Sequence, residues 1–572
     1  MSNPKLKNNS SSQLLNSEVN LSTSSVSSSS SANALLNTNK VRQYESYSNG
    51  SPAINKTNTS DLDLDLQSYG GSESESRPSR LVIILTLASS ISGFMFGYDT
   101  GYISSALVQI GTDLSDKILT NGEKEFITSA TSLGALIGAV ISGILVNLIG
   151  RKTVLLGSNV VFVIGTIIQL ASKTVWTMIA GRFVLGLGVG IASLIAPLML
   201  SELAPAKYRG RLIVTNVMFI TGGQLVAYFI NWGLTRVSHG WRISVGLCMV
   251  PPVVQFVLFW FLPDTPRYYV IKGDIETAKE VVRRTHDHPS EEFVNATIEE
   301  MIASNSTVSG SSQLRRVWNS IKLIHTNPAN FRALILATGL QGIQQFTGFN
   351  SLMYFSATIF ETIGFKNATA VSIIVAATNF VFTAIALCIV DKVGRRRILL
   401  WAIPCMAGSL VICAIAFHFL GVVFTSGSNV EVRSSGISGW GIVVIIGMVL
   451  YVASYAIGIG NSAWIGVELF SDVNVRSVGA MYAAATNWAG SLVIASTFLT
   501  MLENITPTGT FSFFAGLCAV SFLFVYLLLP EVAGLELEET TAFLADGFNV
   551  KQASKLSKER KKHSKFINQH SA

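Results

Sequence analysis

The sequence predicts an all-α membrane protein of twelve spanning helices, arranged as two six-helix bundles joined by an intracellular helical linker. Three observations lead there. Ten to twelve long apolar stretches with almost no interior charge run from Leu81 to Pro530. Charged residues are 13% of the 572, against about 25% in a soluble domain, and they crowd into the tails and one central segment. Charged motifs also recur at equivalent places in the two halves. A surface helix of a soluble protein needs a polar face, which these stretches lack. About 20 residues of helix cross the roughly 30 Å hydrocarbon core of a bilayer.

Residues 1–78 are rich in Ser and Asn and poor in apolar clusters, the composition of a disordered tail. They lack the apolar core of a cleavable signal peptide, so the first span is expected to act as an uncleaved insertion signal. Spans are predicted at 81–107, 127–149, 153–172, 176–200, 212–231 and 242–262, forming a bundle over 79–262. A polar segment, 263–330, follows with helical patches such as Asp274–Arg284. The second bundle, 331–530, holds spans at 331–361, 369–390, 398–420, 440–469, 478–500 and 510–530. A basic tail, 531–572, includes Lys558-Glu-Arg-Lys-Lys562.

Orientation follows from the short loops. Arg151, Lys152, Lys207, Arg209, Arg211, Lys392, Arg395, Arg396, Arg397 and Arg476 share one side with the central segment and both tails. The opposite loops are poor in Lys and Arg. The positive-inside rule places both termini in the cytoplasm of a plasma-membrane protein. Asn367-Ala-Thr369 and Asn504-Ile-Thr506 then lie outside as candidate glycosylation sites, close to the membrane.

Several function classes are excluded. The net charge of +7 comes without a basic helix or aromatic-basic module, so no nucleic-acid partner is expected. The five Cys lie in apolar stretches without a CxxC pair, which argues against a zinc site or a disulfide scaffold. The run from Gly186 to Gly190 follows no strand and is no nucleotide fingerprint. No Walker motif supports an ATP-driven pump. His239, His286, His288 and His325 sit in loops, and His418 lacks a catalytic partner in the pattern, so no enzyme, cofactor or metal is expected.

The halves echo each other. Asn147-Leu-Ile-Gly150-Arg151-Lys152 follows the second span, and Asp391-Lys-Val-Gly394-Arg395-Arg396-Arg397 follows the eighth. Glu202 ends the fourth span before Arg209, as Glu468 ends the tenth before Arg476. This implies two parallel six-helix repeats with a path between them. Glycine allows the tight turn, and the arginines reach carboxylates at neighbouring helix ends. Arg151, Glu202, Arg209, Asp391, Arg395, Arg396, Glu468 and Arg476 are therefore expected to latch the inner face.

The chain resembles the sugar-porter family of the major facilitator superfamily. The resemblance rests on Gly97-Tyr-Asp99-Thr-Gly101, Gly181-Arg182-Phe183, Pro197-Leu-Met-Leu-Ser-Glu202, Pro263-Asp-Thr-Pro-Arg267, Gln344-Gln345-Phe-Thr-Gly348-Phe-Asn350, Asp391-Lys-Val-Gly-Arg-Arg396 and Pro530-Glu531 with Gly534. It covers roughly 80–540. Gly460-Asn-Ser-Ala-Trp464, the run from Ala485 to Ser496, and Asn504-Ile-Thr-Pro-Thr-Gly-Thr-Phe511 resemble the fungal myo-inositol/proton symporters. Asn147, Asn461, Asp264 with Thr265, and the spacing of Glu468 from Trp464 depart from the common sugar-porter pattern. These departures bear on hexose specificity rather than on fold.

Asp99 is the sharpest candidate site. A carboxylate within an apolar span is costly unless paired, hydrated or protonated, and moving it between such environments makes a proton-coupling switch. Arg182 is its expected partner, as the resemblance also implies. A polyol needs neutral donors and acceptors, which amides provide without net charge. Gln224, Gln344, Gln345, Asn350, Asn379 and Asn487 are suitably typed, and Trp464 and Trp488 suit the C–H face of a ring. The same amides would also serve as clasps between helices. The resemblance, not the spacing, implies that Gln344 and Asn350 share one cavity. Tyr354 is the candidate outer gate.

The expected function is proton-coupled import of myo-inositol by alternating access, with the proton as the co-transported ion. The alternatives are a hexose or other polyol porter, and a transporter-like nutrient sensor. Expected partners are the substrate, membrane lipids contacted by the basic tail, and an ubiquitin-dependent endocytic machinery acting on Lys5, Lys7 and Lys40.

Overall fold

The computed structural model describes residues 79–203, 208–287, 289–306, 313–422, 439–470, 473–531 and 543–557, less some side chains within them. Lys5, Lys7, Lys40 and the basic cluster at 558–562 lie outside the described residues.

The first five helices are α1 (Arg80–Gln109), α2 (Asn121–Ile149), α3 (Arg151–Leu170), α4 (Val175–Leu203) and α5 (Arg209–Leu234). α2 begins six residues before the apolar run predicts. Thr120 and Glu123 form a capping box there, the Thr120 hydroxyl accepting from the Glu123 amide at 3.3 Å and Glu123 accepting from the Thr120 amide at 3.0 Å. α6 (Gly240–Leu247) and α7 (Val250–Phe261) make one span interrupted before Pro251-Pro252, which donate no amide hydrogen. The polar segment folds as α8 (Pro266–Lys272), α9 (Ile275–Thr285), α10 (Glu291–Ser306) and α11 (Gln313–Thr326). Asp274 caps α9 by accepting from the Thr277 amide at 3.1 Å.

In the second half, α12 (Pro328–Phe346) is followed by α13 (Phe349–Ile363), α14 (Ala368–Val393), α15 (Arg395–Leu420) and α16 (Gly439–Ile457). Then come the one-turn α17 (Ile459–Ser462), a 3-10 turn (Ala463–Leu469), α18 (Val473–Ala495), α19 (Phe498–Asn504) and α20 (Thr506–Leu528).

Eleven segments among the described residues are long and apolar enough to cross a membrane. The sequence predicts one more, 331–361. In the structure that stretch is two shorter helices, because Gly348 takes φ 87° and ends the run. α12 is also polar for a span, carrying Asn330, Arg332, Gln341, Gln344 and Gln345. The bundle turns apolar side chains outward, as a protein bathed in lipid does. Trp176, Trp260 and Trp401 are 76%, 66% and 78% exposed near helix ends, the positions of interfacial aromatic anchors.

α1 packs on α5, and α2 and α3 pack on α4. α15 packs on α16 and α20, α12 on α18, and α14 on α16. The two halves meet along α2–α18, α5–α14 and α1–α13. Gly93, Gly97 and Gly101 make the α1–α5 approach possible, because a Cβ at Gly97 would occupy the Ile220 carbonyl. A second feature recurs in both halves. A Cβ at Gly150 (φ 90°) would stand 2.5 Å from Asp264 Oδ2, and one at Gly394 (φ 103°) would stand 2.7 Å from Glu531 Oε2. Each carboxylate follows a proline at the end of its half, and each lies under the glycine turn between the half's second and third long helices. Asp264 also accepts from the Lys152 amide at 3.2 Å, satisfying a free donor at the start of α3. Burial pushes the Asp264 carboxyl above its ordinary range, against the hydrogen bond from the Thr265 amide.

Candidate functional site

The α1–α5 approach sets Asp99 deep in the first half, where α4 brings Arg182 against it. The two are 1% and 0% exposed, and Arg182 Nη1 stands 2.7 Å from Asp99 Oδ1. Such a pair is stable only where the remaining donors find acceptors. Arg182 Nε donates to the Ile127 carbonyl at 3.2 Å, while Nη2 is buried without a hydrogen-bond partner. The Asp99–Arg182 contact is formed, with one guanidinium donor left over.

One turn before Asp99, Phe96 packs edge-on against Trp488, ring centroids 5.2 Å apart. Phe96, Trp488 and Trp464 line a cavity of about 480 Å³, counting space open to solvent. Like Phe96, the rest of the lining belongs to the first half, with Ser92, Ser193 and Asn216 set among apolar residues such as Pro197, Val217 and Ile220. Trp488 reaches across to that half, donating from Nε1 to Ser193 Oγ at 3.1 Å. Asn216 is 7% exposed, and its Oδ1 has no hydrogen-bond partner. Ser92, Ser193 and Asn216 escape the sequence reading. Asn216 carries the same signal as Gln224, an amide within a span, but the serines carry none.

The predicted amides fall into three groups. Asn487 Nδ2 donates to Gln341 Oε1 at 2.6 Å and to Gln344 Oε1 at 2.7 Å, and Gln344 Nε2 donates to the Gly460 carbonyl at 3.0 Å. Gln341, which the sequence reading omits, thus belongs with Gln344 and Asn487. Asn350 Nδ2 donates to Gln345 Oε1 at 2.8 Å across the Gly348 break. That break is what reconciles their five-residue spacing. Gln224 Oε1 accepts from Asn379 Nδ2 at 2.9 Å, linking α5 to α14. Tyr354 is buried on α13 and faces Thr100 and Ser491.

The halves are hydrogen-bonded at the end carrying the α1–α2 loop. Ser104 Oγ lies 3.1 Å from Ser356 Oγ, and the Tyr228 hydroxyl donates to the Met353 carbonyl at 2.6 Å. Ser132 and Ser491 lie 3.0 Å apart. Glu125 accepts from the Thr500 amide at 2.8 Å and hydroxyl at 2.6 Å. The Thr500 amide is available because the helix breaks at Ser496-Thr497.

The predicted latch residues behave differently. Arg151 Nη2 donates to Glu202 Oε1 at 2.7 Å, and Arg267 Nε stands 3.9 Å from the same oxygen. All three belong to the first half and its exit segment, so this cluster braces one half rather than bridging two. Arg396 Nη2 donates to the Tyr526 carbonyl at 2.8 Å, and Arg476 Nε to the Phe470 carbonyl at 2.9 Å, both within the second half. Arg395 opens α15. The side chains of Arg209, Asp391 and Glu468 lie outside the described residues.

A many-span helical bundle with a cavity lined by tryptophans and a few polar side chains has the form of a membrane transporter. Residues 85–544 match the family described as Sugar (and other) transporter, and the chain belongs to it. Myo-inositol transporter 1 of Candida albicans is 76% identical over 554 residues, covering 97% of this chain and 96% of that protein. Myo-inositol transporter 1 of Saccharomyces cerevisiae is 58% identical over 483 residues, covering 84% and 82%. The fold is similar to the proton:xylose symporter XylE bound to 6-bromo-6-deoxy-D-glucose, with a TM-score of 0.67, 24% identity, and 81% and 99% of the two chains covered. The protein is thus an all-α, multi-span member of a transporter family, not an enzyme.

Proposed function

We propose that this protein is a proton-coupled symporter that imports myo-inositol across the plasma membrane by alternating access. The observation that carries the substrate is the near full-length likeness to the Candida albicans myo-inositol transporter. The buried Asp99–Arg182 pair supports the coupling, because Asp99 is a titrating group one turn from the cavity wall at Phe96. In this reading Asp99 takes and releases the proton while Arg182 keeps its charge. Gln224, Gln344, Gln345, Asn350, Asn379 and Asn487 exchange their mutual hydrogen bonds for polyol hydroxyls. Trp464 and Trp488 cover the ring face.

The twelve-helix, two-bundle architecture is part of the same proposal, with α12 and α13 together as the seventh span. Two repeats support it. The α2–α18 and α5–α14 contacts are the same pairing, second helix against fifth, made once from each half. The Gly150–Asp264 and Gly394–Glu531 turns are also equivalent. The bonded end is then the outer face, with Tyr354 and α13 as its gate, both termini are cytoplasmic, and the arrangement is inward-facing. Arg151, Glu202, Arg209, Asp391, Arg395, Arg396, Glu468 and Arg476 are proposed as the gate of the inner face, latching it when the halves rock closed; in the present arrangement Arg151 and Glu202 pair within one half.

The test is uptake by purified protein in liposomes, over a panel of myo-inositol, glucose and other polyols, with imposed pH gradients. Uphill myo-inositol accumulation driven by an inward proton gradient is expected. Glucose uptake without myo-inositol uptake would overturn the substrate, and binding without uptake would point to a sensor.

A further inference from the structure

The Asp99–Arg182 pair is half of a larger buried arrangement. Arg182 Nη1, besides meeting Asp99, donates to the Tyr102 hydroxyl at 2.9 Å. That hydroxyl donates its own proton to Gln169 Oε1 at 2.6 Å. Gln169 is oriented by its amide nitrogen, which donates to the Gly165 carbonyl at 3.3 Å. The guanidinium carbon also lies 5.6 Å from the Tyr102 ring centroid, within cation–π range. Tyr102 and Gln169 are both 0% exposed.

An arginine does not give up its proton inside a protein. When Asp99 is protonated, the guanidinium therefore remains charged in the same dry place without its counterion, which is strongly unfavourable. A hydroxyl that already spends its proton elsewhere presents only lone pairs to Arg182. Gln169 enforces that polarity, and the Ile127 carbonyl adds a second neutral acceptor. We propose that Tyr102 and Gln169 are positioning residues, a neutral cradle that holds Arg182 while Asp99 is protonated and so sets the proton concentration at which the transporter loads.

This inference rests on the reading of Asp99 as the coupling group. The ionisable groups facing the pair are Tyr102 on α1, Tyr354 on α13, and Cys248 between α6 and α7. Of these, the Tyr102 hydroxyl accepts from Arg182 and is near enough to Asp99 to bond it too, so that Gln169, by holding the hydroxyl proton, keeps it from serving the carboxylate. With Asp99 ionised, Arg182 has its counterion and the cradle matters little. With Asp99 protonated, the Tyr102 hydroxyl and the Ile127 carbonyl are the acceptors left to Nη1 and Nε. Removing the cradle therefore penalises the protonated form.

The experiment measures myo-inositol uptake against external pH for the full-length protein in liposomes, with melting curves, comparing wild type, Y102F, Q169L and D99N. In Q169L, which frees the Tyr102 proton toward Asp99 and spoils the acceptor offered to Arg182, the pH midpoint of uptake is expected to move toward acid by about one unit, a tenfold higher proton requirement equal to about 1.4 kcal/mol. Y102F, which removes the hydroxyl from both partners, is expected to move it less. An unchanged or alkaline-shifted midpoint in folded Q169L overturns the cradle. Where Y102F fails to fold, Q169L decides alone, because it leaves the tyrosine ring in place. D99N separates the two ideas. Uphill accumulation surviving in D99N defeats the coupling reading and the cradle with it. Accumulation lost in D99N beside an unmoved midpoint in Q169L defeats the cradle only.

Discussion

Truncating Gln345 or Asn350 to alanine separates ligand contact from helix glue. Asn350 Nδ2 donates to Gln345 Oε1 at 2.8 Å, and Gln345 is 3% exposed. Removing either amide strands its partner, and a stranded buried polar group costs about 1–3 kcal/mol. If the bond serves only to join α12 to α13, that cost falls on stability alone. The two single variants and the double variant then melt alike, and affinity for myo-inositol stays at the wild-type value. If the two amides turn to polyol hydroxyls when substrate binds, the same range appears in binding, as a Kd about five- to 150-fold weaker. Isothermal titration of myo-inositol into detergent-purified protein, with melting curves on the same samples, reads both quantities. Wild-type affinity in both single variants would refute the assignment and leave these amides as a clasp across the Gly348 break.

Three further outcomes are expected. Glu125→Gln should loosen the contact between α2 and α19, because the Thr500 amide and hydroxyl bonds to a charged acceptor contribute about 1.5–3 kcal/mol; faster labelling of a cysteine at Ser132 by a water-soluble reagent checks this, and an unchanged rate would count against it. Gly97→Ala should abolish folded protein, since its Cβ meets the Ile220 backbone rather than a movable side chain; a monodisperse, transport-active G97A would show that α1 and α5 can separate there. Asp113 supplies a pH signature outside the spans: burial opposes its charge, but hydrogen bonds from Trp241 and His239 outweigh that and hold the carboxyl below its ordinary range. A lowered folded value means that its stabilisation is present above the ordinary carboxylate value of about 3.9 and is lost as pH falls through the folded value. The difference in melting temperature between wild type and D113N should therefore hold from about pH 7 to 5 and close below about pH 4. Closure already near pH 6 would contradict the assignment to Asp113.

The helices were readable because lipid imposes one rule on every residue in a span. A segment either hides its backbone polar groups in a helix and shows apolar side chains, or it stays out of the membrane. α1, α4 and α15 accordingly appear within three residues of their predicted ends. Paired features were readable where a residue type is costly alone. Asp99 in an apolar run demands a partner, and Arg182 is charged and buried in the same half. Trp464 and Trp488 do line the cavity. The clasp of Asn379 on Gln224 was not readable, because an amide is content with any complementary amide in reach.

Composition and its repetition along the chain thus determined a multi-span helical bundle, the repeated glycine turns and the buried Asp99 that needs a partner. Tertiary structure decided the rest. It broke the seventh predicted span at Gly348 and kept the Arg151–Glu202 pair inside one half. It set Ser92, Ser193 and Asn216 opposite the tryptophans, and closed the line from Arg182 through Tyr102 to Gln169. The physical reason is range. Transfer into lipid acts on each segment by itself and is written in its composition. A hydrogen bond between Tyr102 and Gln169, 67 positions apart, exists only once α1 and α3 have both been packed beside α4.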